Sequence, residues 1–266
     1  MWEHRFQLIK PKRGYGNIRF YSVADVEYLL NISLLVKSGF KISTLAGMDA
    51  ETIENNLLRL EREDDKRLRE LHKLIISMFM SETEKFEIIL DTCMLYWGID
   101  ETIKQIIIPF LERVRIFSCK DCDIEVDFAM TAIRKKLIVG IEKANSNSEN
   151  NKTALLFLPK GEYFDLLLLY FNYLMKGFGI KVLYMGTNIS IQKLKTVSRI
   201  KQPDFILTYI SPRNQKGLSE MKEYLNDESA LKCFITGFDM KMSKEFDKSK
   251  VRYIHYKEST QAIAEG

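Results

Sequence analysis

The residues that could do chemistry lie in separate stretches of the chain. Between residues 1 and 21, Arg5, Lys10, Lys12, Arg13 and Arg19 are opposed only by Glu3, a concentration of cations suited to nucleic-acid phosphates. Cys119 and Cys122 form a C-x-x-C pair, the spacing of half a zinc site or of a redox dithiol. Lys160, Glu162 and Asp165 gather behind an apolar run, where acid–base chemistry could be placed. Each has a plainer reading: a solvated charged loop, two unremarkable thiols, and carboxylates at a helix start.

Spacing weakens two of these. A structural zinc site needs four ligands, and no second C-x-x-C or histidine pair follows Cys122. A redox pair usually sits where a strand meets a helix, whereas this one falls between helical stretches. No nucleophile–base pair and no glycine-rich phosphate loop accompanies Lys160, Glu162 and Asp165, so catalysis is not expected. No metal site is expected either.

The elements that must position these residues follow from periodicity. The chain has 266 residues, 46% hydrophobic and 29% charged, enough for more than one core. No apolar run is long enough to span a bilayer, and the four cysteines fit a reduced compartment, so the expectation is a cytoplasmic protein without membrane contact. The net charge of +4 is mild; its concentration at one end points to a localised anion-binding surface. Pro11 to Tyr21, with Gly14 and Gly16, reads as a short β-hairpin. Ser22 caps a helix that runs to about Ser38 and ends at Gly39; Ser43 starts a short helix over 44–48, and Asp49 caps the next. From about Lys66 to Ala144 the pattern is helical, with Phe79, Phe86, Leu90, Met94 and Trp97 at spacings of three and four. Asn145 to Lys152 reads as a linker. Beyond it, continuous apolar strands (153–158, 182–185, 205–210, 233–236, 251–254) alternate with helices, as in a doubly wound parallel sheet. Ligands of such sheets bind at the carboxyl ends of the strands, here 160–164, 186–190, 210–213 and 237–240.

Residues 2–48 resemble the MerR family of regulators. Trp2-Glu3 stands where that family ends its recognition helix, Leu8-Ile9-Lys10-Pro11-Lys12-Arg13 matches its Leu-Leu-x-Pro-x-Arg, and Asn17-Ile18-Arg19-Phe20-Tyr21-Ser22 matches the wing and the Arg-x-Tyr-Ser that follows. The helical middle and the stretch from Gly161 to Ser190 resemble MerR-type regulators that carry a cobalamin-binding domain, some of them light sensors. The resemblance implies double-stranded DNA as partner, contacted by His4, Arg5, Lys12, Arg13, Asn17, Arg19 and Tyr21, and a homo-oligomer on a near-palindromic site. Tyr21 could equally pack against the following helix.

The sequence departs from the pattern in two places. It begins inside the DNA-binding motif, so a truncated reader is expected, with the wing retained and most of the recognition helix missing. The family's cobalamin loop, E-x-H-E-L-G, reads here Glu162-Tyr163-Phe164-Asp165-Leu166-Leu167, with Phe164 in the slot of the cobalt-ligating His and Leu167 in the slot of the Gly that admits the nucleotide tail. In the helical domain Ser118, Val126 and Asp127 stand where the family has Trp and a Glu-His pair, and His72 and His255 lie far from the expected cobalt position. Glu162, Phe164, Asp165, Thr208 and Gly237 outline the remaining pocket. The expected architecture is multidomain α and α/β: a truncated winged helix-turn-helix (1–65), a helical bundle (66–144), a linker (145–152) and a flavodoxin-like five-stranded parallel sheet (153–266). The expected function is a DNA-binding regulator with a degenerate cobalamin domain, no resident cofactor and an unidentified effector. The alternative is a cobalamin-dependent regulator or corrinoid-binding protein that holds its ligand without the His.

Overall fold

A computed structural model of the chain describes residues 6, 8–117, 123–144, 150–211, 213–227, 232–237 and 251–255. The chain divides into two compact units, Met1–Ala132 and Ile133–Gly266. The expected linker falls largely outside the described residues, as do Cys119, Cys122, His4 and Arg5.

The first unit opens with a hairpin, β1 (Lys12–Arg13) against β2 (Arg19–Phe20), followed by helix α1 (Val23–Lys37). Ser22 and Asp25 form a reciprocal capping box at its start, which satisfies two otherwise orphaned backbone donors. Its end is a Schellman turn: Gly39, at φ 103°, donates to Val36 O, and Phe40 N to Leu35 O. The short helix α2 spans Ile42–Leu45, slightly earlier than the sequence suggests, and places Leu45 wholly inside a core with Ile32, Leu34, Leu35, Ile53 and Leu57. Asp49 caps α3 (Ala50–Leu58) by accepting from Thr52 N at 2.7 Å. In α4 (Glu63–Phe79), Glu63, Asp64 and Asp65 complement the positive end of the helix dipole. The same helix packs against α1 and against α5 (Thr83–Thr102).

Gly98, at φ 79°, breaks α5, and a π-turn over Ile103–Ile107 leads into α6 (Ile108–Phe117). Pro109 accounts for the π-turn, since it cannot donate to residue 105 and its ring crowds that carbonyl, so the preceding turn widens. Phe86 lies edge-on to Phe110 at 5.7 Å and to Phe128, on α7 (Asp123–Lys143), at 5.5 Å. Trp97 Nε1 donates to Glu63 Oε2 at 2.8 Å, pinning α5 to the start of α4. Among the described residues no helix is long and apolar enough to cross a membrane, and no group of three or more potential ligands could hold a metal.

The second unit takes in the end of α7 and a parallel sheet in the order β4-β3-β5-β6-β7. The strands are β3 (Thr153–Pro159), β4 (Lys181–Ile189), β5 (Phe205–Tyr209), β6 (Lys232–Gly237) and β7 (Val251–His255). Three helices connect them: α8 (Leu166–Gly177), α9 (Ile191–Lys201) and α10 (Gln215–Asp227). On one face of the sheet Leu155, Phe157, Ile206, Cys233 and Ile235 pack with Leu194, Leu218, Met221 and Tyr224 of α9 and α10. Tyr224 also donates to Ser198 Oγ at 2.9 Å, joining those helices. The helix α8 is buried at every position from Leu166 to Phe171, because one side meets the sheet and the other is covered as well.

His72, on α4, is buried in the first unit and its Nδ1 has no hydrogen-bond partner among the described residues. Burial, with the charges of Arg113 and Lys37, pushes its pKa down from 6.5 to about 3. A base whose folded pKa is depressed leaves stability intact above its unfolded value and removes it as pH falls below that value. The free energy of unfolding should therefore fall between pH 6.5 and 4 with a contribution from His72 approaching about 1.4 kcal/mol per pH unit. His72→Leu should be shallower by that slope in urea titrations followed by tryptophan fluorescence. An unchanged slope would show that His72 is not buried as a neutral imidazole.

Candidate functional site

The hairpin sets its cations on a narrow exposed arm. Lys12 pairs with Phe20 and Arg13 with Arg19 across the two strands, and Lys12, Arg13 and Arg19 are all exposed. The connection is tight: Gly14 N donates to Ile18 O, Asn17 N donates to Gly14 O, and both Gly16 and Asn17 have positive φ. The Phe20 ring lies against Gly14, where a Cβ would come within 2.5 Å of it and require the ring to shift. Asn17 Oδ1 accepts from Arg13 Nη1 at 2.6 Å, so it orients the guanidinium at the tip. Tyr15, Ile18, Phe20 and Tyr21 are exposed beside these cations. A basic arm flanked by apolar groups and followed by a well-capped helix suits a polyanion backbone, which supplies phosphates to the cations and apolar sugar edges to the rest.

The second candidate is the carboxyl edge of the sheet. Gly161, at φ 89°, turns the chain out of β3, so the residues after it lie across the strand ends. Glu162 is buried there, and its Oε1 accepts from Ser211 N, just past β5, at 2.8 Å. Asp165, at the start of α8, receives a two-pronged interaction from Arg134 of α7, at 3.0 Å from Nε and 2.8 Å from Nη2 to Oδ1. Tyr184 of β4 lies within the field of that pair; burial, with the Asp165 charge, raises its pKa. The Phe164 ring stands edge-on to Tyr209 at 6.2 Å. Thr208 is fully buried in β5, and Gly237 ends β6.

The structure thus brings Glu162, Phe164, Asp165 and Gly237 to one edge and places Thr208 inside the sheet beneath it. Asn188 and Ser211 fall within edge segments expected from the sequence (186–190 and 210–213), though the sequence singles out neither, whereas Arg134 and Asn214 lie outside them. Arg134 comes from a helix 31 residues away, and Ser211 takes part through its backbone, which no residue type signals. Cys93 and Cys233 are free and buried, and burial raises both thiol pKa values, Cys93 to about 12, so neither is a reactive thiolate.

Residues 1–52 match the model of the MerR HTH family regulatory proteins. No curated protein matches the chain. Among solved structures, the chain is similar to the monomethylamine corrinoid protein of Methanosarcina barkeri, with TM-score 0.54 and 13% identity over 73% of this chain and 96% of that one. It is also similar to the methanol:cobalamin methyltransferase complex of M. barkeri (TM-score 0.40, 12% identity, 86% and 89% of the two chains). A cobalamin-binding protein of Desulfitobacterium hafniense gives TM-score 0.33 and 10% identity over 84% and 88%. The last two superpose too loosely to carry weight, and the first is a likeness of fold. A segment that matches the MerR HTH family model therefore stands in one chain with a fold similar to that of a corrinoid protein.

The Arg134 side of the pair with Asp165 is 36% exposed, so its contribution is screened and modest, about 1 kcal/mol. A double-mutant cycle with Arg134→Gln and Asp165→Asn, read by chemical denaturation and circular dichroism, should return a coupling energy of that size. Additive effects would mean that the pair does not anchor α7 to α8.

Proposed function

We propose that this chain is a DNA-binding transcription regulator of the MerR type, acting as a homo-oligomer. The observation that carries the reading is the exposed hairpin bearing Lys12, Arg13 and Arg19 within the matched residues 1–52. Lys12, Arg13 and Arg19 contact phosphates, Asn17 holds Arg13 in place, and Tyr21 lies against the DNA backbone; His4 and Arg5, outside the described residues, belong to the same matched stretch and add to the DNA contacts. Residues 1–65 form the DNA-binding module, 66–144 the helical domain and 153–266 the cobalamin-binding-like domain, none of them catalytic. What supports a regulatory role over an enzymatic one is that the buried carboxylates of the sheet edge are already engaged, by Ser211 N and by Arg134.

The α/β domain is a degenerate form of a cobalamin-binding domain. Its residues do not fit a corrinoid held from below by histidine: Phe164 offers no metal ligand, and Leu167, in the slot through which the nucleotide tail would pass, is buried in the core. One observation favours the second reading, a corrinoid held without a protein ligand. The hydroxyl of Thr236, next to Gly237 on β6, is buried without a hydrogen-bond partner among the described residues.

Fluorescence anisotropy of the chain on its own promoter DNA, titrated across salt with and without adenosylcobalamin, tests both readings. The expected result is selective binding whose logarithmic salt slope shrinks by about 2 in Lys12→Ala/Arg13→Ala, roughly 0.9 per lost phosphate contact. An unchanged slope overturns the wing assignment. Corrinoid colour retained after desalting, with a change in DNA affinity, favours the second reading.

A further inference from the structure

The hairpin is not the only basic part of the chain. Residues 133–266 hold 22 lysines and arginines against 14 aspartates and glutamates. The excess is concentrated: no acidic residue occurs between Asp165 and Asp204, while Lys176, Lys181, Lys193, Lys195, Arg199 and Lys201 all fall there. Four of these six belong to α9. Successive residues of a helix turn by about 100°, so the buried Leu194 and Ser198 mark its inner side, with Ile191 and Val197 packed against the core beside them. The outer side presents Lys193 and Arg199, both exposed, among exposed Gln192, Thr196 and Ile200. Lys201, also exposed, ends the helix as the chain returns to the amino edge of the sheet. There Asp204 N donates to Thr153 O, and Lys181 N, at the start of β4, donates to Lys152 O at 3.0 Å. Asp204 itself, the first acid after the helix, is taken up by Thr153 N, which donates to its Oδ2 at 2.6 Å.

A solvated helix face ordinarily interleaves both signs of charge. The neighbouring α10 does so: it carries Lys216 and Lys222 beside Glu220 and Glu223, and Lys216 Nζ lies 3.9 Å from Glu220 Oε1. In α9 no cation can be paired from within the helix, and Lys195 and Arg199 stand four residues apart, where like charges repel. From Lys193 to Lys201 the cations extend over about 12 Å of helix axis. That is too spread to converge on one small anion, but it matches a row of phosphates, which follow one another at about 3.4 Å of axis along a DNA strand. The apolar side of α9 is already in the core, and Ile200 is its one exposed large apolar residue, so the helix has no apolar face to insert into a lipid surface. We propose that the outer face of α9, with Lys181 and Lys201 at the amino edge of the sheet, is a second contact of this chain for the phosphates of double-stranded DNA, independent of base sequence. The α/β unit thereby engages the duplex without using the carboxyl edge of its sheet. The proposal rests on the reading of the chain as a DNA-binding regulator and adds a contact outside the matched residues 1–52.

The experiment is fluorescence anisotropy of the full chain on its promoter duplex and on a scrambled duplex of the same length, titrated across sodium chloride, with sedimentation velocity of the free protein. Lys193→Gln/Arg199→Gln should lower the logarithmic salt slope by about 1.8 on both duplexes, roughly 0.9 per lost phosphate contact. Lys216→Gln/Lys222→Gln, on α10, removes the same charge and should leave the slope unchanged. Lys193→Arg/Arg199→Lys keeps the charge and should preserve the slope as well. The proposal fails if the α9 charge-removing variant retains the natural slope, if the α10 variant loses as much, or if the charge-keeping swap loses it too. It also fails if free Lys193→Gln/Arg199→Gln sediments in a different oligomeric state, which would make α9 a contact between protein copies. The hairpin variant Lys12→Ala/Arg13→Ala separates this proposal from the wing assignment. An unchanged slope there, beside a loss in the α9 variant, removes the wing and leaves the second contact standing; the reverse pattern removes the second contact alone.

Discussion

The strand β3 has neighbours on both sides and side chains buried on both faces, so none of its polar backbone can turn to water until the strand ends. From Ala154 to Phe157 the strand is paired on both flanks, by β4 and by β5, and its backbone is placed by that obligation. This single buried strand fixes the order of the sheet, because its two flanks have to be filled before β6 and β7 can add outward. It also fixes where the chain is free again. The first residues released from the ladder, Lys160 to Asp165, are the ones that carry the candidate chemistry. They emerge into a region whose own backbone donors, at Ser211 and Asn188, still lack partners. Glu162 meets both, its carboxylate accepting from Ser211 N and its backbone carbonyl from Asn188 N, while Asn188 Oδ1 accepts from Gly161 N.

The first unit obeys a different constraint. Its helices α2 (Ile42–Leu45) and α3 (Ala50–Leu58) are short and marginal alone, and capping and side-chain ties mark where the helices of this unit begin and end. The box formed by Ser22 and Asp25 fixes the start of α1 immediately after the hairpin. That boundary keeps the basic arm outside the core while Ile32, Leu34 and Leu35 enter it. The arm is then held by its own turn geometry, with Gly14 pressed against Phe20 and Arg13 tethered to Asn17, and it presents cations without needing a partner from the core.

Polar groups on the hairpin and at the carboxyl edge of the sheet have thus been treated in opposite ways. On the hairpin, Lys12, Arg13 and Arg19 stay exposed to water. At the sheet edge, the Glu162 carboxylate is drawn out of water and matched by Ser211 N, and Asp165 is paired with Arg134.

Much of this was legible in the residues alone. Periodicity of three and four marked the helices around Phe86 and Leu90, and continuous apolar runs marked strands covered on both faces, since those patterns follow directly from helical and extended geometry. The hairpin was legible from Gly14 and Gly16, and its cations from simple counting. Local signals also located the loops at the sheet edge, because strands and helices alternate in a fixed order. The partners across those loops were decided only by tertiary structure. The distance from Glu162 to Ser211 depends on the spacing of β3 and β5, and that from Asp165 to Arg134 on where α7 settles, neither of which any local pattern encodes. The π-turn before Pro109 and the shift of α2 toward Ile42 have the same origin. Proline chemistry makes the first of these understandable and core packing the second, but each is a choice among local conformations of similar energy that only burial of the neighbouring side chains resolves.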